Sequence, residues 1–269
     1  MASLVGKCRP LVRWAGSKTK ILGVLESNRP ASFSRYIEPF CGSMSLFLRL
    51  RPSSAVMGDL NEDLINFYRQ VQQYPLLVAE GMADLPSNRD EYYRQRALKT
   101  AELTEMEQAV RFFFLNRHCF NGVYRTNKNG DFNVPFGSRL TEIPKRDEIV
   151  EFSKKIENID FLAADFETTL NLLEPDDFVY LDPPYAGTES RDRGEYGLGS
   201  FKTDDILRLA RHLNDASANG TKILLSYADV EAVRRAFADW NIQEISVGRS
   251  ISGFAKGRKT VTEVLIKNY

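Results

Sequence analysis

An α/β fold is predicted for this chain by three observations. Short apolar runs alternate with helical patterns, several of those runs end in a glycine or polar turn, and no internal repeat or low-complexity tract interrupts them. In order, residues 36–40 read as a strand closed by a turn, 43–50 as a short crossover helix and 55–59 as a second strand. Segments 159–163, 178–182, 222–227, 243–247 and 261–266 read as further strands. Residues 204–218 read as a helix, with Thr203 as its N-cap, Asp204 and Asp205 facing the positive end of the helix dipole, and Gly220 as the stop.

Between Asp59 and Ile159 the alternation lapses. Helices are predicted at 62–73 and 104–116, the second opened by a capping box of Thr104 with Glu107. At the end of this stretch Asn129-Gly130 is a type I′ hairpin signal. The expected organisation is a core domain of residues 1–60 and 145–269, interrupted by an insert of helices and a β-hairpin over 61–144.

The 269 residues are enough to bury a sizeable core without metal or disulfide staples, and 43% hydrophobic with 27% charged residues excludes a disordered chain. Thirty-six basic residues against thirty-six acidic ones give zero formal charge, which excludes a simple polybasic coat for nucleic acid. The zero hides a partition. Residues 111–146 hold seven basic and two acidic side chains, an excess of five, and Arg249, Lys256, Arg258 and Lys259 form a second basic patch in a segment without acids. Two basic segments flanking an α/β core suggest a polyanion that touches both.

Cys8, Cys41 and Cys119 are odd in number and show no CxxC spacing, and His118 and His212 are the only histidines. Neither a disulfide framework nor a metal centre is expected. No signal peptide or membrane-spanning run is present, so the expected setting is the cytoplasm.

Asp182-Pro183-Pro184-Tyr185 follows the apolar run 178–181 and so sits at the carboxyl end of a strand, where ligand clefts of open α/β sheets form. The two prolines fix the backbone and remove two donors, leaving carbonyl acceptors beside the Asp182 carboxylate and a flat Tyr185 ring. Such a cluster suits a planar amine such as adenine N6, one hydrogen donated to Asp182 and one to the Pro183 carbonyl, with Tyr185 stacked on the base. Glu38-Pro39-Phe40-Cys41-Gly42-Ser43 is a strand followed by a glycine turn that opens a helix, as nucleotide-type sites require. Asp59 ends the next strand, where an acid accepts hydrogen bonds from ribose hydroxyls. This is a Rossmann arrangement without G-x-G-x-x-G, which favours a nucleoside cofactor over a dinucleotide. Arg13-Trp14-Ala15-Gly16-Ser17-Lys18 lacks the glycine and Gly-Lys-Ser/Thr spacing of a P-loop; Lys18 suits a carboxylate and Trp14 the wall of a pocket.

Trp14-Ala15-Gly16-x-Lys18, Glu38-Pro39-Phe40-x-Gly42-Ser43, Asp59-Leu60-Asn61, Leu115-Asn116-Arg117-x-x-Phe120-Asn121-Gly122, Phe132-Asn133-Val134-Pro135-Phe136-Gly137 and Asp182-Pro183-Pro184-Tyr185, in that order, resemble the Dam-type DNA adenine N6-methyltransferases of the D12 class. Arg249-Ser250-Ile251-Ser252 extends the resemblance, which runs from about Leu11 to Leu265. The motif order is that of the α group of amino-methyltransferases. The resemblance implies a Rossmann-like methyltransferase sheet, S-adenosylmethionine as donor and no metal. It places Trp14 and Lys18 near the methionine end of the donor, Asp59 on its ribose and Asp165-Phe166 beside its adenine, with Asp182 touching both donor and target amine. Phe120, Asn121, Arg125 and Pro135 fall on positions that intercalate or read bases, and Arg13 on one that reaches a base beside the cofactor segment. The implied partner is double-stranded DNA, often at GATC, with a restriction endonuclease a further candidate partner and a monomer expected. One departure stands out: the second glycine of Phe-x-Gly-x-Gly is Met44, which is expected to hinder close approach of the backbone to the cofactor. Cys41 is not in the Pro-Cys context of a cytosine-C5 nucleophile. Segment 186–200, with glycines at 187, 194, 197 and 199, is expected to be a mobile loop that orders on DNA. Cytosine N4 or an RNA base as acceptor, and a relative that binds DNA without catalysis, remain open alternatives.

Overall fold

Seven strands, β1 (Tyr36–Glu38), β2 (Ala55–Asp59), β3 (Ile159–Ala163), β4 (Phe178–Leu181), β5 (Lys222–Ala228), β6 (Asn241–Arg249) and β7 (Lys259–Lys267), form one sheet in a computed structural model. It describes residues 9–127, 130–138, 142–185, 201–249 and 259–269. The strand order is β3-β2-β1-β4-β5-β7-β6. The first five strands pair in parallel, and β7 runs antiparallel between β5 and β6. Among the described residues the helices are α1 (Leu22–Ser27), α2 (Ser45–Leu50), α3 (Glu62–Gln73), α4 (Pro75–Ala83), α5 (Arg89–Ala97), α6 (Glu105–His118), α7 (Arg146–Lys155), α8 (Phe166–Leu170), α9 (Thr203–Ala218) and α10 (Glu231–Ala236).

The period-2 geometry of a strand divides the sheet between two cores. Ile37, Val179, Leu181, Ile223, Leu225, Val264 and Ile266 join the apolar faces of α8, α9 and α10. Tyr36, Met57, Phe178, Tyr180, Leu224 and Leu265 face the other way, into a core shared with Leu64, Phe67 and Tyr68 of α3 and Phe112, Phe113, Phe114 and Leu115 of α6. Side chains from within 61–144 thus share one continuous core with the sheet. Beneath the sheet, fully buried Asp177 takes two hydrogen bonds from Arg35, at 3.0 and 2.7 Å.

Several predicted boundaries move for identifiable reasons. The first strand stops at Glu38 and the fourth at Leu181, because the prolines that follow Glu38 and Asp182 carry no N–H for the ladder. The crossover helix begins at Ser45 rather than 43, since Gly42 (φ 42°) and Met44 (φ 56°) are left-handed. Thr203 is the first residue of α9 rather than its cap; the cap is Lys202, whose N–H donates to the Asp205 carboxylate at 2.8 Å. The last two strands are longer than predicted because β6 and β7 stay in antiparallel register from Asn241↔Lys267 to Arg249↔Lys259. Thr104 and Glu107 form the predicted capping box on α6.

The hairpin turn also differs. Gly130 N–H donates to Asn127 C=O at 3.0 Å and Asn127 N–H to Asp131 C=O at 2.9 Å. That pattern closes a three-residue loop ending in a left-handed glycine (Gly130 φ 85°), rather than a two-residue type I′ turn; residues 128 and 129 lie outside the described residues. The positive-φ pair that a type I′ turn needs occurs instead at Asn121-Gly122, with Asn121 at φ 56° and Gly122 at φ 65° and Val123 N–H donating to Phe120 C=O at 3.3 Å.

Candidate active site

The strand order reverses between β1 and β4, so their following segments diverge and open a crevice at the carboxyl ends of the parallel strands. On the β1 side, Glu38 is buried and accepts a hydrogen bond from Tyr36 Oη at 2.9 Å. After buried Pro39, the turn brings Gly42 against Trp14: a Cβ on Gly42 would lie 2.6 Å from Trp14 Cδ1, so only glycine permits this approach. Gly42 N–H donates to Asp59 Oδ2 at 3.1 Å and Asn61 N–H to Oδ1 at 3.0 Å, which locks the carboxylate under the turn. Burial pushes Asp59 up to about 6 against the opposing pull of those amides. The Ser43 hydroxyl lies 3.3 Å from that of Ser17 and 2.9 Å from that of Ser45, clipping the Trp14–Lys18 segment to the turn. Within that segment Ala15 and left-handed Gly16 (φ 79°) reverse the chain so that Lys18 returns to the crevice. Met44 keeps the left-handed backbone that a glycine would take, and its side chain is fully buried in the core.

On the β4 side, Lys18 Nζ sits 2.7 Å from Asp182 Oδ1 and 3.1 Å from Tyr185 Oη, bringing the first and last predicted motifs together. Asp182 keeps 18% of its side chain exposed, enough for a ligand to reach it. Tyr180 Oη lies 3.0 Å from Ser226 Oγ, which lies 3.1 Å from Asp182 Oδ1. Since Ser226 has one hydroxyl hydrogen, a relay in which Tyr180 donates to Ser226 and Ser226 to Asp182 satisfies both contacts. Burial raises the pKa of Asp182, while Lys18 and Ser226 oppose the rise. Tyr227 Oη donates to the Pro184 carbonyl at 3.4 Å, and its ring meets Tyr185 edge-on with centroids 5.1 Å apart. Pro183 is buried between these groups.

Sequence reasoning missed Ser226 and Glu263. Glu263, on β7 opposite Ala228, is only 2% exposed and has its Oε2 3.7 Å from Lys18 Nζ. The available signal was an acid inside an apolar strand run, sharing a face with Leu265, which lies in the core.

The third wall is aromatic. Phe40 packs on Phe166 with centroids 5.6 Å apart and edge-on to Phe201 at 6.0 Å. Asp165 caps α8, accepting from Glu167 N–H at 3.0 Å. Arg208 pairs with Asp165 at 3.2 Å and lies over the Phe166 ring at 4.9 Å.

The hairpin gathers most of the predicted base-reading residues. Phe120 N–H donates to Pro135 C=O at 2.9 Å, and Phe120, Asn121 and Pro135 are all exposed, Phe120 by 49%. Arg125 Nε donates to Asn133 Oδ1 at 2.7 Å. Tyr124 stacks on Trp14 with centroids 5.7 Å apart and donates to Asp63 Oδ2 at 2.6 Å, which ties the hairpin to the Trp14–Lys18 segment and to α3. The Arg13 side chain lies where a Cβ on Gly122 would stand, and its backbone is held by Asn116 at 2.8 and 2.7 Å. Its Nη1 is buried without a hydrogen-bond partner among the described residues. Arg117 donates to the Leu11 and Glu142 carbonyls, so part of its guanidinium already serves the fold. The paired backbones of Arg249 and Lys259 end the β6–β7 ladder; Lys256, Arg258 and segment 186–200 lie outside the described residues.

Burial pushes the Cys41 thiol well above its ordinary range, as befits a core side chain rather than a thiolate nucleophile. The donor set of the crevice is acidic oxygen, from Glu38, Asp59 and Asp182, lined by aromatic rings. Burial raises the pKa of all three acids, so each gains from a cationic ligand. A sulfonium nucleoside with an amino-acid tail fits such a lining.

The comparisons agree with this geometry. Residues 14–251 match the family of D12 class N6 adenine-specific DNA methyltransferases. The chain is 33% identical over 260 residues to the Retron Ec67 DNA adenine methylase of Escherichia coli, covering 95% of this chain and 90% of that protein. It is 31% identical over 271 residues to the Type II methyltransferase M1.LlaDCHI of Lactococcus lactis subsp. cremoris, covering 97% and 95%. It is 30% identical over 270 residues to the DNA adenine methylase of Haemophilus influenzae, covering 96% and 93%. With the match spanning most of the sequence and the crevice assembled from the matched motifs, the chain belongs to the D12 class N6 adenine-specific DNA methyltransferases.

Proposed function

We propose that this protein transfers a methyl group from S-adenosylmethionine to N6 of an adenine flipped out of duplex DNA, with GATC as the expected site. The observation that carries the reading is Asp182: a desolvated yet reachable carboxylate beside two prolines, at the switch point of the sheet and facing the acid-lined crevice. S-adenosylmethionine, when bound, supplies an electrophilic methyl group on a sulfonium. Trp14, Ala15 and Gly16 would line its amino-acid end, with Lys18 beside them, Asp59 would hold its ribose, and Asp165 with Phe40 and Phe166 its adenine. Glu38, Gly42 and Ser43 shape the turn between these parts.

The chain's own part is to hold the amine. Asp182 and the Pro183 carbonyl accept the two N6 hydrogens, which withdraws the nitrogen lone pair from the ring and aims it along one line. As N6 gains positive charge, the carboxylate stabilises it through a charge-assisted hydrogen bond in a site of low dielectric. Tyr185 stacks on the extruded base, worth about 1 to 3 kcal/mol. Flipping costs a few kcal/mol, and exposed Phe120 and Asn121 are placed to fill the vacated stack.

Segment 61–144 is the proposed target-recognition insert, with Arg125, Asn133 and Pro135 reading bases. Arg13, packed against Gly122 of this hairpin, is a further candidate to reach a base. Arg117, Arg249, Lys256, Arg258 and Lys259 would serve the backbone of the duplex. Relatives named Type II methyltransferases make a restriction endonuclease partner part of the proposal. Incubating duplex DNA with methyl-labelled donor and mapping the modified positions tests the reading: label on adenine within one short sequence supports it, and label on cytosine or on RNA alone overturns it.

A further inference from the structure

Lys18 sets a cation against several buried acids of the crevice, at the place a substrate must go. Lys18 Nζ contacts Asp182 Oδ1 at 2.7 Å and Tyr185 Oη at 3.1 Å, and lies 5.3 Å from the centre of the Tyr185 ring. These are the two side chains to which the proposed function assigns the target amine and the stacked base. With Lys18 in this place, Asp182 Oδ1 has both lone pairs engaged, one by the ammonium and one by Ser226 at 3.1 Å. An ammonium on the carboxylate also opposes the charge that develops on N6, because it neutralises the group meant to stabilise that charge. Oδ2 still offers acceptor sites, so the conflict is one of charge: Asp182 stabilises the developing positive charge fully only once Lys18 has left it. The lysine side chain is only 9% exposed, so moving it out to water would require opening the site. A second acid is already within reach: Glu263 Oε2 lies 3.7 Å away, on a strand rather than a loop, with a side chain 3% exposed.

We propose that Glu263 is a positioning residue which receives Lys18 when the target base enters, so that Lys18 caps Asp182 in the empty site and pairs with Glu263 in the loaded one. The exchange keeps the ammonium paired inside the protein throughout. It therefore leaves no unpaired ammonium in the low-dielectric interior in either state. Glu263 has no direct role toward the amine; it acts by drawing the lysine off the carboxylate that does.

The inference rests on the adenine methyltransferase reading, and the test separates the two. Wild-type enzyme is first required to methylate adenine in duplex DNA; if it does not, that reading fails and the inference is not reached. The Glu263→Gln variant, close in size, is then compared in single-turnover methylation and in DNA binding. The expected result is a methyl-transfer rate at least about tenfold lower with a DNA Kd within about twofold of wild type. A variant that transfers methyl at half the wild-type rate or faster overturns the inference, as does one whose rate loss is matched by an equal loss of DNA affinity. Should the variant fold poorly, a crystal structure of the wild-type enzyme with an oligonucleotide and a non-reactive donor analogue decides. Lys18 Nζ hydrogen-bonded to Glu263 and clear of Asp182 supports the exchange, and Lys18 still on Asp182 with the base in place contradicts it.

Discussion

Asp59 is a half-buried carboxylate gripped by two backbone amides, and its pKa of about 6 makes it sensitive to pH in the neutral range. Because the folded value lies above the ordinary carboxylate value, its contribution to stability is fully present below about 4 and is lost as pH rises through about 6. Ribose hydroxyls donate hydrogen bonds and so prefer the ionised form. At pH 5 about one molecule in ten carries that form, so donor affinity is expected to fall about tenfold between pH 7.5 and pH 5. Calorimetric titration with the donor checks this, and Asp59→Asn should flatten the dependence; an unaltered slope in that variant would remove Asp59 from the donor site. At Met44 two opposing effects can be weighed. The left-handed backbone costs about 1 to 2 kcal/mol for a residue with a Cβ, while truncating a buried methionine costs about 2 to 5 kcal/mol. The packing effect is the larger, so Met44→Gly is expected to lower stability by about 1 to 3 kcal/mol in chemical denaturation. A more stable variant would show that strain dominates.

At the scale of elements, the hairpin presents the residues proposed to read bases through its own hydrogen bonds. Asn133 accepts from Arg125 Nε at 2.7 Å and donates its N–H to the Arg125 carbonyl at 3.1 Å, fixing both the guanidinium and the backbone behind it. If Arg125 pairs with a guanine, Arg125→Ala should reduce discrimination at one base pair by about 1 to 3 kcal/mol. Asn133→Ala should do the same in part, by freeing the guanidinium. Methylation rates on oligonucleotides differing at single positions check both; a uniform loss across all sequences would assign Arg125 to the phosphates instead. Elements were legible where local chemistry decides them. Glu62–Gln73 and Ala55–Asp59 match their periodic patterns, and the capping box at Thr104 is present as its spacing predicts. The hairpin turn was not legible, because three Asn-Gly pairs, Asn121-Gly122, Asn129-Gly130 and Asn219-Gly220, offer the same signal and tertiary contacts choose among them: Arg13 lies against Gly122, where no Cβ fits. The start of α2 was missed for a related reason, since no residue-level rule places a methionine in left-handed backbone.

For the whole molecule, the site exists because the strand order reverses between β1 and β4, bringing the 14–18, 38–43 and 182–185 segments to one crevice. Each motif was readable alone, since glycine turns, proline-fixed carbonyls and strand-ending acids carry their chemistry locally. Their contacts were not. Lys18 meets Asp182, which lies far along the chain, and Glu263 enters the site from the antiparallel side of the sheet, where a lone acid in an apolar strand resembles any satisfied buried charge. The central claim is that Asp182, in its desolvated place beside Pro183, holds and stabilises the adenine amine. The most direct measurement is mass analysis of nucleosides from duplex DNA methylated by wild type and by Asp182→Ala, with DNA affinity measured in parallel. N6-methyldeoxyadenosine is expected from wild type, formed at least ~100-fold more slowly by the variant at unchanged DNA Kd. Near-normal formation by the variant, or a methylated cytosine as the product, would contradict it.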